Sequence, residues 1–332
     1  MSLITIYLQN YNNLIYYISA QFGGLPTQFL GIDTGSSDTW ARGTQCVSLD
    51  QSCDGNKMGK KGGTYYGSTF QEKYADGTSI TGEIYSGSPN FNGITPSLIY
   101  YGNATEINGL VHSIDGILGL AQLQGSDIYL ETGHSEALFM NSLGISQFGL
   151  YFNNYKNETA TTCRMNINGY DSALYQGSLT WIPTTSNTYW QMSLYSGTVS
   201  VFGNSFPLDT GPVRDMVFDT GSSFIFLSNT AVEGICSNIV GCAYDPLSQF
   251  YIFPCTSYLP NMEFNIGGNT WTIPGFHYSY NYTSQTKGDR CVLMITSQNA
   301  LSTSSLMGTP FFRTYYTAYD LATGQFGYAL AN

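Results

Sequence analysis

The sequence predicts an all-β chain folded as two similar lobes. Two observations carry that expectation. First, the chain holds 27 Tyr and 19 Phe, interrupted by 37 Gly and by Asn, Ser and Asp turns. Short aromatic strands joined by tight loops have this composition. Second, the sequence repeats. Asp-Thr-Gly-Ser-Ser occurs at Asp33 and again at Asp219, and each copy is followed at a matching interval by an apolar element ending in Gly. Gly119, in ILGLA, lies 86 residues after Asp33; Gly308, in SLMGTPFF, lies 89 after Asp219. A chain of 332 residues has room for two domains. The expected lobes are residues 1–182 and 183–332.

Each repeat begins as a strand. Leu30 and Ile32 precede Asp33, and Met216, Val217 and Phe218 precede Asp219, so both read as buried strands entering a tight loop. A third Asp-Thr-Gly starts at Asp209, but its interval to Gly308 would be 99. It runs into Gly211-Pro212, and proline ends a strand. Asp209 therefore reads as a hairpin-turn residue bonded to its own backbone. Helical patterns are few; the best is Ser135 to Gly144, SEALFMNSLG, with a capping Ser and a terminal Gly.

Charge excludes some functions. Charged residues make up 10%, with 11 Lys and Arg against 22 Asp and Glu, for a formal net charge of -11. No basic run offers a nucleic-acid footprint. Few basic groups also mean little positive charge at low pH, and so little self-repulsion there. No run of about 18 apolar residues suits a membrane. The start, MSLITIYLQN, lacks the basic and apolar regions of a signal peptide and reads as a processed end. Of seven cysteines, Cys46 and Cys53, and Cys236 and Cys242, enclose short loops; Cys255 and Cys291 flank a longer segment, and Cys163 is left over. This suggests disulfides and an oxidising compartment, with buried thiols as the alternative. Three His, none near a Cys pair, argue against zinc. Glycosylation sequons begin at Asn103, Asn157 and Asn281.

Two matched Asp-Thr-Gly loops have a chemical use. A pseudo-twofold would bring them face to face between the lobes. Two carboxylates a few ångströms apart do not both ionise easily, so the pair holds one proton. One then serves as general base on a bound water while the other donates to a substrate carbonyl, which hydrolyses an amide without a covalent intermediate. Gly35 and Gly221 let the backbone turn and bring amides to the carboxylates. Thr34 and Thr220 are expected to bond across the interface, and Ser36 and Ser222 to donate to the outer carboxylate oxygens.

With these loops in place, YYISAQFGGLPTQF, GIDTGSSDTW, IDGILGLA, GSLTWIPTTSNTYWQMSL, MVFDTGSS and LMGTPFFRTYYTAYD together resemble the pepsin-like, two-lobed aspartic proteases of the pepsin and cathepsin D family. The resemblance implies a bilobal pepsin-like fold with the active-site cleft between the lobes. It implies an acid-pH endopeptidase with Asp33 and Asp219 as dyad, favouring hydrophobic residues around the scissile bond. Its partners would be peptide or protein substrates and pepstatin-type inhibitors, with no nucleic acid, no membrane and no cofactor or metal. The chain would be a monomer, secreted or lysosomal or vacuolar. Nothing here resembles the family's removable basic N-terminal segment, so the mature form is expected.

The resemblance also makes QEKYADGTSITGEIYSG a flap hairpin over the cleft, with Asp76-Gly77 at its tip and Tyr74 as the flap tyrosine. The Trp40 indole N–H is expected to reach the Tyr74 hydroxyl. Tyr74, Ile114, Ile117, Tyr189 and Gly221 would line the cleft, and Gly31, where a larger apolar residue is usual, would leave a roomier pocket. The implied disulfides are Cys46–Cys53, Cys236–Cys242 and Cys255–Cys291, with Cys163 unpartnered. Ala75 and Thr309 depart from the family pattern without removing a chemical group. The alternative function is a catalytically inactive peptide- or protein-binding member of the fold, whose usual sign, a broken Asp-Thr-Gly, is missing here.

Overall fold

A computed structural model describes residues 2–24, 26–58, 62–110, 113–152, 163–210, 212–284, 288–297 and 304–332. The sequon at Asn157 and Gly211 of the third Asp-Thr-Gly lie outside them. The chain is mostly β, as expected. Strands Gln9–Tyr11, Ile15–Gln21, Gln28–Asp33, Gly116–Gly119, Trp40–Val47, Ile99–Asn108, Ser79–Gly87 and Thr64–Lys73 lie side by side in that order, with Asn90–Phe91 beside Ile15–Gln21. A second sheet runs Gln191–Ser193, Asp215–Phe218, Ser304–Met307, Ile225–Leu227 and Ile295–Ser297. Two four-stranded sheets complete the second half.

The repeat in sequence is a repeat in topology. In the first half, Ile15–Gln21 is antiparallel to Gln28–Asp33, which is parallel to Gly116–Gly119. That strand is antiparallel to Trp40–Val47, which is parallel to Ile99–Asn108. The five strands of the second sheet follow the same sequence of antiparallel, parallel, antiparallel and parallel pairs. In each half the strand ending in Gly returns beside the strand that enters the Asp loop. Gly119 pairs with Asp33, and Met307, just before Gly308, pairs with Phe218. A Cβ on Gly119 would overlap the Ser37 backbone, and one on Gly308 the Phe224 carbonyl, so only glycine allows the loop to cross there.

A six-stranded sheet joins the halves: Ile4–Tyr7, Arg164–Ile167, Gln147–Tyr151, Tyr315–Asp320, Gln325–Leu330 and Thr180–Pro183. Tyr315–Asp320 and Gln325–Leu330, from the second half, sit between strands from the first. The expected lobe boundary, between residues 182 and 183, falls within Thr180–Pro183 of this shared sheet. One continuous apolar core runs from Leu30 and Phe148 through Trp190 to Phe218 and Phe311. A second cluster under the hairpin holds Trp40, Phe70, Ile80, Ile84, Ile114 and Ile117.

The helix expected over Ser135 to Gly144 is divided. A 3-10 turn covers Ser135–Ala137 and a short α-turn Phe139–Ser142, with Leu138 extended between them (φ -79°, ψ 132°). The break lets Ala137, Leu138, Phe139 and Met140 all point inward, which one helical stripe could not do. The more regular helices are Asp127–Thr132 and Asn229–Ser237.

Candidate active site

The two Asp-Thr-Gly loops meet. The Thr34 N–H donates to Thr220 Oγ1 at 3.0 Å, and the Thr220 N–H to Thr34 Oγ1 at 3.0 Å. Each hydroxyl then donates onward across the interface, Thr34 to the Phe218 carbonyl and Thr220 to the Ile32 carbonyl, both at 2.8 Å. Four reciprocal bonds between buried groups fix the loops to each other. The expected threonine bridge is present in both directions.

The glycines show how close the carboxylates come. A Cβ on Gly35 would lie 2.5 Å from the Asp219 carboxyl, and one on Gly221 2.5 Å from Asp33 Oδ1. Each loop thus packs its bare backbone against the other loop's acid. Each acid also takes the N–H two residues on: Gly35 donates to Asp33 Oδ1 at 2.7 Å and Gly221 to Asp219 Oδ1 at 2.8 Å. The symmetry ends at the serines. Ser36 Oγ donates to Asp33 Oδ2 at 2.5 Å, as expected. Ser222 Oγ instead donates to the Phe224 carbonyl at 2.9 Å, so the expected hydroxyl bond to Asp219 is not made. Local chain direction explains this: the backbone after Ser222 folds so that the Phe224 carbonyl comes within bonding distance of its hydroxyl. Asp219 keeps the Ser222 backbone N–H.

Burial, then the charge of Asp33, then a hydrogen bond shared with it hold the Asp219 carboxyl well above the usual carboxylate range. The Gly221 and Ser222 amides pull in the opposite direction and are outweighed. Asp209 is elsewhere. It accepts from the Ser196 N–H at 3.0 Å and so caps a neighbouring turn; the Gly211 amide of its own turn lies outside the described residues. The hairpin of that region closes instead between strands Thr198–Val201 and Asn204–Pro207.

The flap hairpin pairs Thr64–Lys73 with Ser79–Gly87. At its tip the Tyr74 N–H donates to the Thr78 carbonyl at 2.8 Å and the Gly77 N–H to the Tyr74 carbonyl at 3.0 Å. Asp76 accepts from the Thr78 N–H at 2.8 Å, and Gly77 takes φ +94°, which its lack of a side chain permits. The Trp40 indole N–H donates to the Tyr74 hydroxyl at 2.7 Å. Ser36, which donates to Asp33, also acts on the Tyr74 phenol, so polar groups line up from Trp40 through Tyr74 and Ser36 to Asp33. Burial and then the charges of Glu72 and Asp33 hold the Tyr74 phenol far above its ordinary value, so it stays protonated.

Tyr189 is half exposed, and its phenol is raised by burial and then by the charges of Glu72, Asp33 and Asp219, so it lies within reach of their field. Ile114 and Ile117 are buried with Trp40 in the cluster under the flap. The roomier pocket expected at Gly31 is taken up by these isoleucines. Their Cδ1 atoms lie 3.2 and 3.4 Å from where a Gly31 Cβ would be. The three implied disulfides are present, and Cys163 is buried outside them.

Sequence reasoning passed over two acids. Asp38, in GIDTGSSDTW, is fully buried and accepts from the Ser126 hydroxyl and from the Asp127 and Ile128 N–H groups, the latter at 2.8 and 3.2 Å. Glu72 shares a hydrogen bond with it. The signal was alternation: on the strand that leads into Tyr74, Glu72 shares a face with the buried Phe70.

Comparison with known proteins agrees with this geometry. The family model described as eukaryotic aspartyl protease matches residues 15–331. Penicillopepsin-1 of Penicillium janthinellum is 28% identical over 331 residues, covering 94% of each chain. Pepsin A of Canis lupus familiaris is 28% identical over 341 residues, covering 98% of this chain and 84% of its own. A vacuolar aspartic protease of Candida albicans is 28% identical over 334 residues, covering 97% and 76%. By fold, by the paired loops and by this match over nearly its whole length, the chain belongs to the eukaryotic aspartyl proteases.

Proposed function

We propose that this protein is an aspartic endopeptidase that hydrolyses peptide bonds at acid pH, with Asp33 and Asp219 as its catalytic residues. The observation that carries the reading is the mutual approach of the two carboxyls across the bare backbones of Gly35 and Gly221. With Asp219 raised by burial and by Asp33, the proton shared by the pair resides on Asp219. The Asp33 carboxylate takes a proton from a water bound between the acids as that water attacks the scissile carbonyl carbon. The Asp219 hydroxyl donates its proton to the carbonyl oxygen, giving a neutral tetrahedral diol. On collapse Asp33 returns its proton to the leaving nitrogen and Asp219 recovers the proton from the diol, so both acids end as they began.

Tyr74 and the flap close over the peptide, and Ile114, Ile117 and Tyr189 favour hydrophobic side chains beside the scissile bond. The three disulfides support an oxidising destination, outside the cell or in a lysosome or vacuole. The test is cleavage of denatured haemoglobin or casein between about pH 2 and about pH 7, with and without pepstatin. Acid cleavage that pepstatin blocks, that Asp33→Asn and Asp219→Asn abolish and that Asp209→Asn retains is the expected result. Cleavage lost in Asp209→Asn alone would overturn the choice of dyad. No cleavage by the wild type at any pH would favour a peptide-binding protein.

A further inference from the structure

Glu72 has an unusual position for a carboxyl. It lies on Thr64–Lys73, an edge strand of its sheet and the outer strand of the flap. Helix Asp127–Thr132 packs along that edge. Asp127 Oδ2 accepts the Gln71 N–H at 2.8 Å, and Glu131 accepts the Ser68 hydroxyl at 3.0 Å. One residue beyond Gln71, Glu72 turns inward and meets Asp38, which the start of the same helix already holds through Ser126, Asp127 and Ile128. The groups facing Glu72 are Asp38 before the strand Trp40–Val47, Asp127 at the helix start and Asp33 in the first loop. Its charge in turn reaches Tyr74 on the flap and Tyr189. All the acids in this set repel its negative charge, and the ion pairs among the described residues, Arg42–Asp115 and Arg164–Asp171, involve none of them.

We propose that Glu72 is a positioning residue for the flap: as a neutral acid it donates a hydrogen bond to the Asp38 carboxyl, and that bond holds the strand carrying Tyr74 above Asp33. The inference rests on the endopeptidase reading for its consequence, but not for the bond itself. Asp38 already accepts from one hydroxyl and two amides, so the shared proton belongs to Glu72. Burial and the charge of Asp38 push Glu72 up to about 9, and burial pushes Asp38 up to about 6, so the pair keeps its bridging proton throughout the acid range. The pair acts on Tyr74 from two residues away, at the end of the strand that leads into it.

The test compares Glu72→Gln, whose amide still donates to Asp38, with Glu72→Leu, which has similar bulk and no donor. Amide hydrogen exchange of residues 68–78 is followed at one acid pH, with strand Tyr315–Asp320 as the internal control. Exchange in the flap is expected to rise about tenfold in Glu72→Leu, the loss due to one charge-assisted hydrogen bond, and to stay within about twofold of wild type in Glu72→Gln. In turnover, Glu72→Leu should raise KM about tenfold with a smaller change in kcat, and Glu72→Gln should restore KM. Flap exchange in Glu72→Leu equal to wild type would overturn the proposal. So would Glu72→Gln as loose as Glu72→Leu, which would reduce Glu72 to packing. Because exchange needs no turnover, a protein that cleaves nothing would sink the endopeptidase reading while still deciding whether the bond holds the flap.

Discussion

Ser36 and Ser222 hold the same place in two identical pentapeptides and face different acceptors. Ser36 bonds the Asp33 carboxyl, whereas Ser222 bonds the Phe224 carbonyl. Ser36→Ala is therefore expected to lower kcat/KM about tenfold more than Ser222→Ala, since it alone deletes a hydroxyl donor from the dyad. Steady-state kinetics at acid pH would check the difference. A harder change is Gly221→Ala. Its methyl would come 2.5 Å from Asp33 Oδ1 and 3.2 Å from Asp219 Oδ1. The carboxyls must separate, and a displacement of that size is expected to cost about 100-fold in kcat/KM with the circular dichroism spectrum unchanged. At this scale the sequence was legible where chemistry leaves a motif. Asp33, Asp219, their glycines and their threonines were readable from two copies of one pentapeptide. The diverted Ser222 hydroxyl was not, because the backbone path after the motif decides it. Glu72 was missed: alternation could have given its face, but its partner lies in a distant loop.

Among elements, the two Asp loops depend on each other for backbone satisfaction. Thr34→Val keeps the shape, removes the acceptor for the Thr220 N–H and removes the donor to the Phe218 carbonyl. Leaving those buried groups unbonded is expected to cost about 1–3 kcal/mol. The loss should appear as a lower urea midpoint with an unchanged slope. The hairpin was legible because Asp76-Gly77 is a strong hairpin signal and strand residues flank it. The broken segment at Leu138 was not legible, since its caps are helical while its four successive buried residues suit no single helix face. Asp209 was legible as a turn residue, but the Ser196 amide it caps sits on another turn.

For the whole molecule, the titrating groups set where the fold is most stable. Asp38 at about 6, Glu72 at about 9 and the raised Asp219 all bind protons more tightly folded than unfolded. Their contribution is complete below the ordinary carboxylate range and is lost as pH rises through about 6 and then about 9. His277 works the other way. Buried, bonded at 2.6 Å to Thr314 and close to the Arg313 charge, it is pushed down to about 3. Its contribution is present above the ordinary histidine value and is lost as pH falls towards about 3. Three acids outnumber one imidazole, and a formal net charge of -11 at pH 7 adds repulsion on the neutral side. Tm is therefore expected to peak on the acid side and to fall between about pH 5 and about pH 9, as calorimetry across that range would show.

The six-stranded sheet also fixes when the two halves can first be joined. Its inner strands, Tyr315–Asp320 and Gln325–Leu330, are made late in synthesis and slot between strands made early. A chain still being translated has already produced Asp33, and then Asp219, before the strands that seat one half against the other have been made. Local sheets can form first, but the pairings that join the halves span more than a hundred residues and close slowly. Joining of the halves thus follows the synthesis of both Asp loops. Under the endopeptidase reading, a half-made copy has no assembled pair of acids to turn on itself or on its neighbours.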